Sequence, residues 1–296
     1  MSILSTGLSG LLNSRDGLGV SSNNVANANN PDYKRQQVQQ ETRLNQFVQG
    51  GYVGNGVQTT DVTRVTDQFL TNQILRTQSQ AAYSETLGTQ LSRVDDLFAD
   101  GNNALRESLT EFGNAAQDLS TRPNDLPTRQ DFLSKADFVV QQFNSVARRL
   151  DDLQDDNNSK IQFKVSEING ITENLATLNK QIAKEYAAND GKNLPLNLLD
   201  QRDALLETLS GSLGIQLVDD KLGQVNVFMK NGQPLVTRDS SVNLLAISDP
   251  TDPRSLVIAQ QPVAGDGDPI RFTNRSLGEG ELSALVDFKA GSLTRY

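Results

Sequence analysis

The chain has 296 residues, 27 of them basic and 36 acidic, for a net charge of −9, and it contains neither histidine nor cysteine. Its cations are scattered, which excludes the positive patch that nucleic acid or an anionic membrane requires, and the two missing residue types exclude zinc, haem and iron–sulfur sites of the usual ligands as well as Cys–His and Ser–His nucleophiles. With 36% hydrophobic residues, 5% aromatic and no tryptophan, the composition suits a thin core between paired helices in an elongated chain of about two domains.

The N-terminus, Met1-Ser2-Ile3-Leu4-Ser5-Thr6-Gly7, lacks the basic and long apolar regions of a secretory signal peptide. Leu4, Leu8, Leu11, Leu18 and Val25 then recur at steps of four, three and seven, one narrow helical stripe. Gly7, Gly10, Gly17 and Gly19 lie within it, each weakening an isolated helix by about 1 kcal/mol relative to alanine. Such a helix is expected to be ordered only against partner helices. Asn29-Asn30-Pro31-Asp32 ends it, because proline disfavours helical geometry in the residue before it. Residues 33–66 are polar and glutamine-rich, and Asn55-Gly56 predicts a type I′ hairpin.

A long helical middle follows. Leu87, Leu91, Val94 and Phe98 share one stripe, and Leu105, Leu109, Phe112, Ala116 and Leu119 another. Pro123 and Pro127 interrupt the pattern, and Thr128-Arg129-Gln130-Asp131 reads as a helix start. Phe132, Ala136, Val139, Phe143, Val146, Leu150 and Leu153 continue it to Ile182 and Tyr186, a helix of about 85 Å if unbroken. The spacing drifts at 157–165, as a stutter or a break would make it do. Leu198, Arg202, Leu205, Leu209 and Leu213 mark one more helix. From Ile215 the period is two: Val225–Met229, Asn231-Gly232 and Leu235-Val236 form a hairpin, with Pro234 expected on an edge. Short runs at Leu244–Ile247, Leu256–Ile258 and Ile270–Phe272 add strands, Gly265-Asp266-Gly267-Asp268 is a turn, and Glu281–Phe288 is helical again. That last pattern is still running at Tyr296, as in a shortened chain. The longest apolar runs are far too short to span a membrane.

The fold expected is mainly α: an elongated bundle of long helices with a smaller β-rich domain and an N-terminal helix. The parts are 1–34, the N-terminal helix; 35–213, the helical bundle, with a hairpin-containing lead-in at 35–66; 214–280, the β-rich domain; and 281–296, the start of a returning helix.

The stretch Ser21-Ser22-Asn23-Asn24-Val25-Ala26-Asn27, followed by Tyr33 and Arg35, resembles the signature of the flagellar rod, hook and hook-associated proteins, S-x-N-[IV]-A-N-x-x-T-x-G-Y-x-R. Asn30 and Asp32 depart from it, where a threonine and a glycine are common. Gly51–Val57, Asn197-Leu198-Leu199-Asp200-Gln201-Arg202-Asp203 and Ser276–Leu285 narrow the resemblance to the hook-associated branch. The resemblance implies that the N-terminal helix pairs with a C-terminal helix lying beyond these residues, and that the two line the inner tube of the flagellar axis. It also implies export by the flagellar type III apparatus to an extracellular site on the flagellum, without a cleaved signal. Copies would form a ring between hook and filament. The implied partners are further copies, the hook protein, a second junction protein next to the filament, and an export chaperone near a C-terminal end not present here. Asn24, Val25, Ala26, Asn27, Tyr33 and Arg35 would be the assembly motif, and Leu4, Leu8, Leu11 and Leu18 the axial stripe.

Other chemistry is poorly supported. Gly51–Gly56 lacks the Lys-Ser/Thr of a phosphate loop. Asp151, Asp152, Asp155 and Asp156 lack the glycine and terminal glutamate of an EF-hand and read as a solvated face opposed by Arg148, Arg149 and Lys160. Glu279 and Glu281 are a pair that any acidic chain offers. No catalytic, cofactor, metal or small-molecule site is expected. The alternatives to a junction subunit are another rod or hook subunit, a generic helical scaffold, and an enzyme.

Overall fold

A computed structural model describes residues 3–220, 222–262 and 267–289. The turn expected at Gly265-Asp266 and the continuation of the last helix towards Tyr296 lie outside them. The chain divides into two compact units: residues 1–78, 170–210 and 215–242 form one, and 79–169, 211–214 and 243–296 the other.

Helix α1 covers Ile3–Ala26, followed by strands β1 (Gln36–Thr42), β2 (Gln46–Val48), β3 (Gly51–Val53) and β4 (Val57–Arg64). β1 and β4 form an antiparallel ribbon from Gln36↔Arg64 to Thr42↔Val57, with a bulge at Gln39/Gln40. β2 and β3 make a separate hairpin in which Phe47 faces Tyr52 across a Gln49-Gly50 turn. The hairpin expected at Asn55-Gly56 is therefore replaced by one six residues earlier. Gly56 has φ +89°, and a Cβ there would lie 2.1 Å from Ser9 Oγ, so this glycine lets the ribbon approach α1 rather than turning a hairpin.

α2 (Gln68–Thr121) and α3 (Leu126–Ala188) have 54 and 63 residues. α3 runs through 157–165 without interruption, so the drift in spacing is not a break. It also begins earlier than expected: Pro127 sits in its first turn, where a missing N–H costs nothing, and Thr128 Oγ1 donates to Asp125 Oδ2 at 2.6 Å. In the second unit the helices are joined by Phe112 and Phe132, with ring centroids 5.1 Å apart, and by a 2.7 Å ion pair between Lys135 and Glu111. The buried face of α2 matches the expected stripes at Val94 but departs from them at Leu91 and Leu109. Gln90, Val94, Ser108 and Ala115 are buried, whereas Leu91 and Leu109 are exposed. The polar members are satisfied locally, Gln90 Oε1 by Arg93 and Ser108 Oγ by the Leu105 carbonyl, and small side chains permit close helix packing. On α3, Phe143 of the expected stripe is exposed as well.

α4 (Leu196–Ser212) follows, then β5 (Ile215–Asp219), β6 (Val225–Met229), β7 (Pro234–Thr237) and β8 (Ser240–Ser241) in a sheet of that order. The Asn231-Gly232 hairpin forms as expected between β6 and β7. Pro234, expected on an edge, lies in an inner strand. It is tolerated because β8 reaches only Val236 and Thr237. β9 (Leu244–Ser248), β10 (Leu256–Gln260) and β11 (Ile270–Arg271) form a second sheet, in the order β11-β10-β9. α5 (Asn274–Leu277) and α6 (Glu281–Phe288) close the described chain. α6 is buried on nearly all sides, and its two acids are partnered, Glu281 by Lys164 and Asp287 by the Tyr83 hydroxyl. Gly280 precedes it with φ +110°, and a Cβ there would lie 2.7 Å from the Leu213 amide nitrogen.

In the first unit the apolar interior includes Ile171, Leu175, Ile182, Leu199, Leu209, Val225, Val227, Met229 and Leu235, and in the second Ile161, Ile168, Leu213, Leu244, Ile258, Leu282 and Phe288. Of the acidic run on α3, Asp156 pairs with Lys160 one turn on and with Arg93 of α2, and Asp151 pairs with Arg254. Among the described residues no group of three or more acidic side chains is gathered as a metal would need, and no helix is long and apolar enough to cross a membrane.

Candidate functional site

The face that α1 turns to the ribbon is polar. Ser9 and Asn13 are buried; the Val57 amide donates to Ser9 Oγ at 3.3 Å, and the Thr59 hydroxyl lies 2.8 Å from Asn13 Oδ1 and 3.2 Å from Asp16 Oδ2. The apolar stripe therefore points away: Leu4, Leu8, Leu11, Leu18 and Val25 are 82, 55, 70, 72 and 77% exposed. This is the reverse of the usual arrangement, in which the apolar stripe faces the protein interior.

Where α1 ends, its last turns are tied to the start of β1. Asn24 pairs with the backbone of Gln36 in both directions, its Nδ2 donating to the carbonyl and its Oδ1 accepting from the amide, each at 2.9 Å. Asn24 Oδ1 also accepts from the Tyr33 hydroxyl at 2.8 Å, and Asn23 Nδ2 donates to that hydroxyl at 3.1 Å. Asn27 Nδ2 donates to the Asn23 carbonyl at 3.0 Å. A carboxamide is required at position 24, since an aspartate would accept but could not donate. Burial, then the Asp200 carboxylate, raises the Tyr33 phenol above its ordinary pKa, with the Asn23 hydrogen bond opposing them.

Of the residues singled out from the sequence, Asn24, Asn27 and Tyr33 thus form one network. Val25 faces outward with the stripe, Ala26 closes the helix, and Arg35 contributes its carbonyl, which accepts from the Val65 amide at 2.8 Å. The network forms one wall of an open cleft of about 730 Å³, completed by Asn174, Leu178 and Gln181 of α3 and Asn197, Asp200, Gln201 and Leu205 of α4. The two stretches 23–33 and 197–203 meet at this cleft.

Behind the cleft lies an ionic cluster that sequence reasoning did not find. Arg64, at the end of β4, donates at 2.8 Å to both Asp200 and Asp203, with all three side chains less than 20% exposed. Arg202 pairs with Asp203 at 2.8 Å and donates to the Gly223 carbonyl at 2.9 Å. The signal was present: Asp200 and Asp203 share a helix face with only one cation among them, so a second had to come from elsewhere. Two further asparagines were also missed. Asn179 of α3 pairs in both directions with Val225, at 2.8 and 3.1 Å, and donates to the Arg238 carbonyl at 2.7 Å. In the other unit Asn169 pairs in the same way with Leu244, at 2.9 and 2.8 Å.

A helix with an outward apolar stripe, pinned to a ribbon that leads into two long helices, offers a surface suited to packing against other helices. The family model for the helical domain of the flagellar hook-associated protein FlgK matches residues 91–296, and the chain belongs to that family. It is 32% identical over 292 residues to flagellar hook-associated protein 1 of Salmonella typhimurium, covering 99% of this chain and 52% of that one. To the protein of the same name from Bacillus subtilis it is 31% identical over 294 residues, covering 94% and 56%. The solved structure of the flagellar hook junction protein FlgK from Burkholderia pseudomallei superposes with a TM-score of 0.69 at 29% identity, over 75% of this chain and 39% of that one. The chain spans about half the length of the curated relatives it matches.

Proposed function

We propose that this chain is the proximal part of a structural junction subunit of the bacterial flagellum, which joins hook to filament by assembling with its own copies into a ring. The observation that carries this reading is the α1 stripe: its polar face is already used by the ribbon, so Leu4, Leu8, Leu11 and Leu18 remain for neighbours. The mechanism is packing rather than catalysis. α1 inserts between axial helices, while Asn24, Asn27 and Tyr33 set the angle at which the chain leaves the axis. The hook protein and a second junction protein are the neighbours along the axis, and an export chaperone acts before assembly. The site of action is outside the cell, reached through the flagellar export apparatus.

The test is to complement cells that lack the protein with a version in which residues 21–35 are scrambled. Export of that version, with filament subunits lost to the medium and no filament grown, is the expected result. Normal filaments would reduce the segment to a turn and favour the scaffold reading.

A further inference from the structure

The β2–β3 hairpin has no evident role within its own chain. Phe47 and Tyr52 pack edge to face, with centroids 5.4 Å apart at 68°, yet they are 69 and 76% exposed, and Leu44 beside them is 92% exposed. These side chains present roughly 500 Å² of apolar surface, within the range of the largest patch a monomer leaves exposed. Arg43 is the single charged residue between 42 and 60, and its Nε is enclosed without a hydrogen-bond partner.

The cleft at the end of α1 has the complementary features. Its lining includes apolar Leu178, Ala204 and Leu205, several carboxamides, and the carboxylates Asp32 and Asp200 with no base among them. At about 730 Å³ it falls within the range that accommodates a few large side chains.

We propose that the hairpin of one copy docks in this cleft on a second copy, the rings of Phe47 and Tyr52 on the apolar lining and Arg43 towards Asp32. Only the choice of a second copy as partner rests on the assembly reading above. Charge favours it: residues 1–66 carry five bases and four acids and are nearly neutral, whereas the rest of each chain holds the net negative charge that keeps copies apart. Made once with each neighbour rather than reciprocally within a pair, the contact is head-to-tail and generates a ring or a helical array.

The absence of cysteine makes the test direct. Gln49→Cys at the hairpin turn and Gln201→Cys at the cleft, on separate full chains, give one thiol each. Mixed in equal amounts and mildly oxidised, they are expected to yield the mixed disulfide dimer far beyond the twofold excess over each homodimer that random pairing gives. Linkage of Gln49→Cys chains only to each other, or no linkage, overturns the contact. Sedimentation velocity on the full chain separates this proposal from the reading beneath it. The double change Phe47→Ser, Tyr52→Ser should weaken self-association about tenfold and leave the unfolding midpoint unchanged, since both rings already face solvent. If that variant associates as the unaltered chain does, the hairpin contact falls and self-assembly stands. If neither chain associates and no mixed dimer forms, both fall.

Discussion

Residues 170–210 with 215–242, and residues 3–66, belong to the same compact unit, but these two regions are held in opposite ways. In the first, Ile171, Leu175, Ile182, Leu209, Val225 and Met229 are inside, and the buried Asn179 fastens helix to sheet. In the second, the inward side chains are Ser9 and Asn13, and the leucines of the same helix face out. The linking device is nonetheless shared. Asn179 captures the first residue of β6 and Asn24 the first residue of β1, each with one carboxamide bonded to both backbone groups of a single residue. The difference teaches where free energy is placed: one region is stabilised by burying its apolar side chains, and the other leaves them exposed.

That contrast can be broken by substitution. Asn179→Ala would leave the Val225 amide and carbonyl and the Arg238 carbonyl without this partner in a dry interior, at a cost of about 3 kcal/mol or more; urea unfolding followed by circular dichroism would read it. A loss under 1 kcal/mol would mean that water replaces the carboxamide and that this region is not the dry one. Arg64→Met strands Asp200, while Asp203 keeps its pair with Arg202, and about 2–3 kcal/mol should be lost in the same assay, somewhat less than for a fully enclosed pair. Asn24→Asp removes only the donor to the Gln36 carbonyl at a partly exposed site, and about 1 kcal/mol is expected. Its effect on filament growth should be far larger than its effect on stability. Leu11→Ser should change stability by less than about 0.5 kcal/mol while abolishing assembly; a large drop in stability would show that the stripe is covered within the chain after all.

The smallest effect concerns pH. The Tyr33 phenol is raised by burial and by Asp200, so the folded state favours its neutral form. This stabilisation is complete below the ordinary phenol value near 10 and is lost as pH rises through the raised one. Tyr33→Phe should flatten that alkaline loss and remove one late-ionising tyrosine from an ultraviolet titration; Tyr83, held up by its own burial and by Asp287, would remain. Loss instead of a tyrosine that ionises near 10 would show that Tyr33 ionises like a tyrosine in water.

The element types were legible in the sequence because local periodicity reports them. The helical character of the long middle, the β6–β7 hairpin at Asn231-Gly232 and the helical turns from Glu281 follow from spacing and turn residues alone, though not the uninterrupted lengths of α2 and α3. The signature shared with a known family singled out Asn24, Asn27 and Tyr33, whose side chains are joined through Asn23 by hydrogen bonds. Spacing could not say which of two adjacent faces α2 buries, since Gln90 against Leu91 and Ser108 against Leu109 differ by a rotation that only the facing helix decides. Nor could it say that Gly56 serves a close approach to Ser9 instead of a hairpin, or that Arg64 reaches two aspartates more than 130 residues away. Local sequence determined what each segment becomes; the partner of each polar group was decided only by tertiary structure, because a hydrogen bond or ion pair is satisfied by whatever the fold brings within about 3 Å.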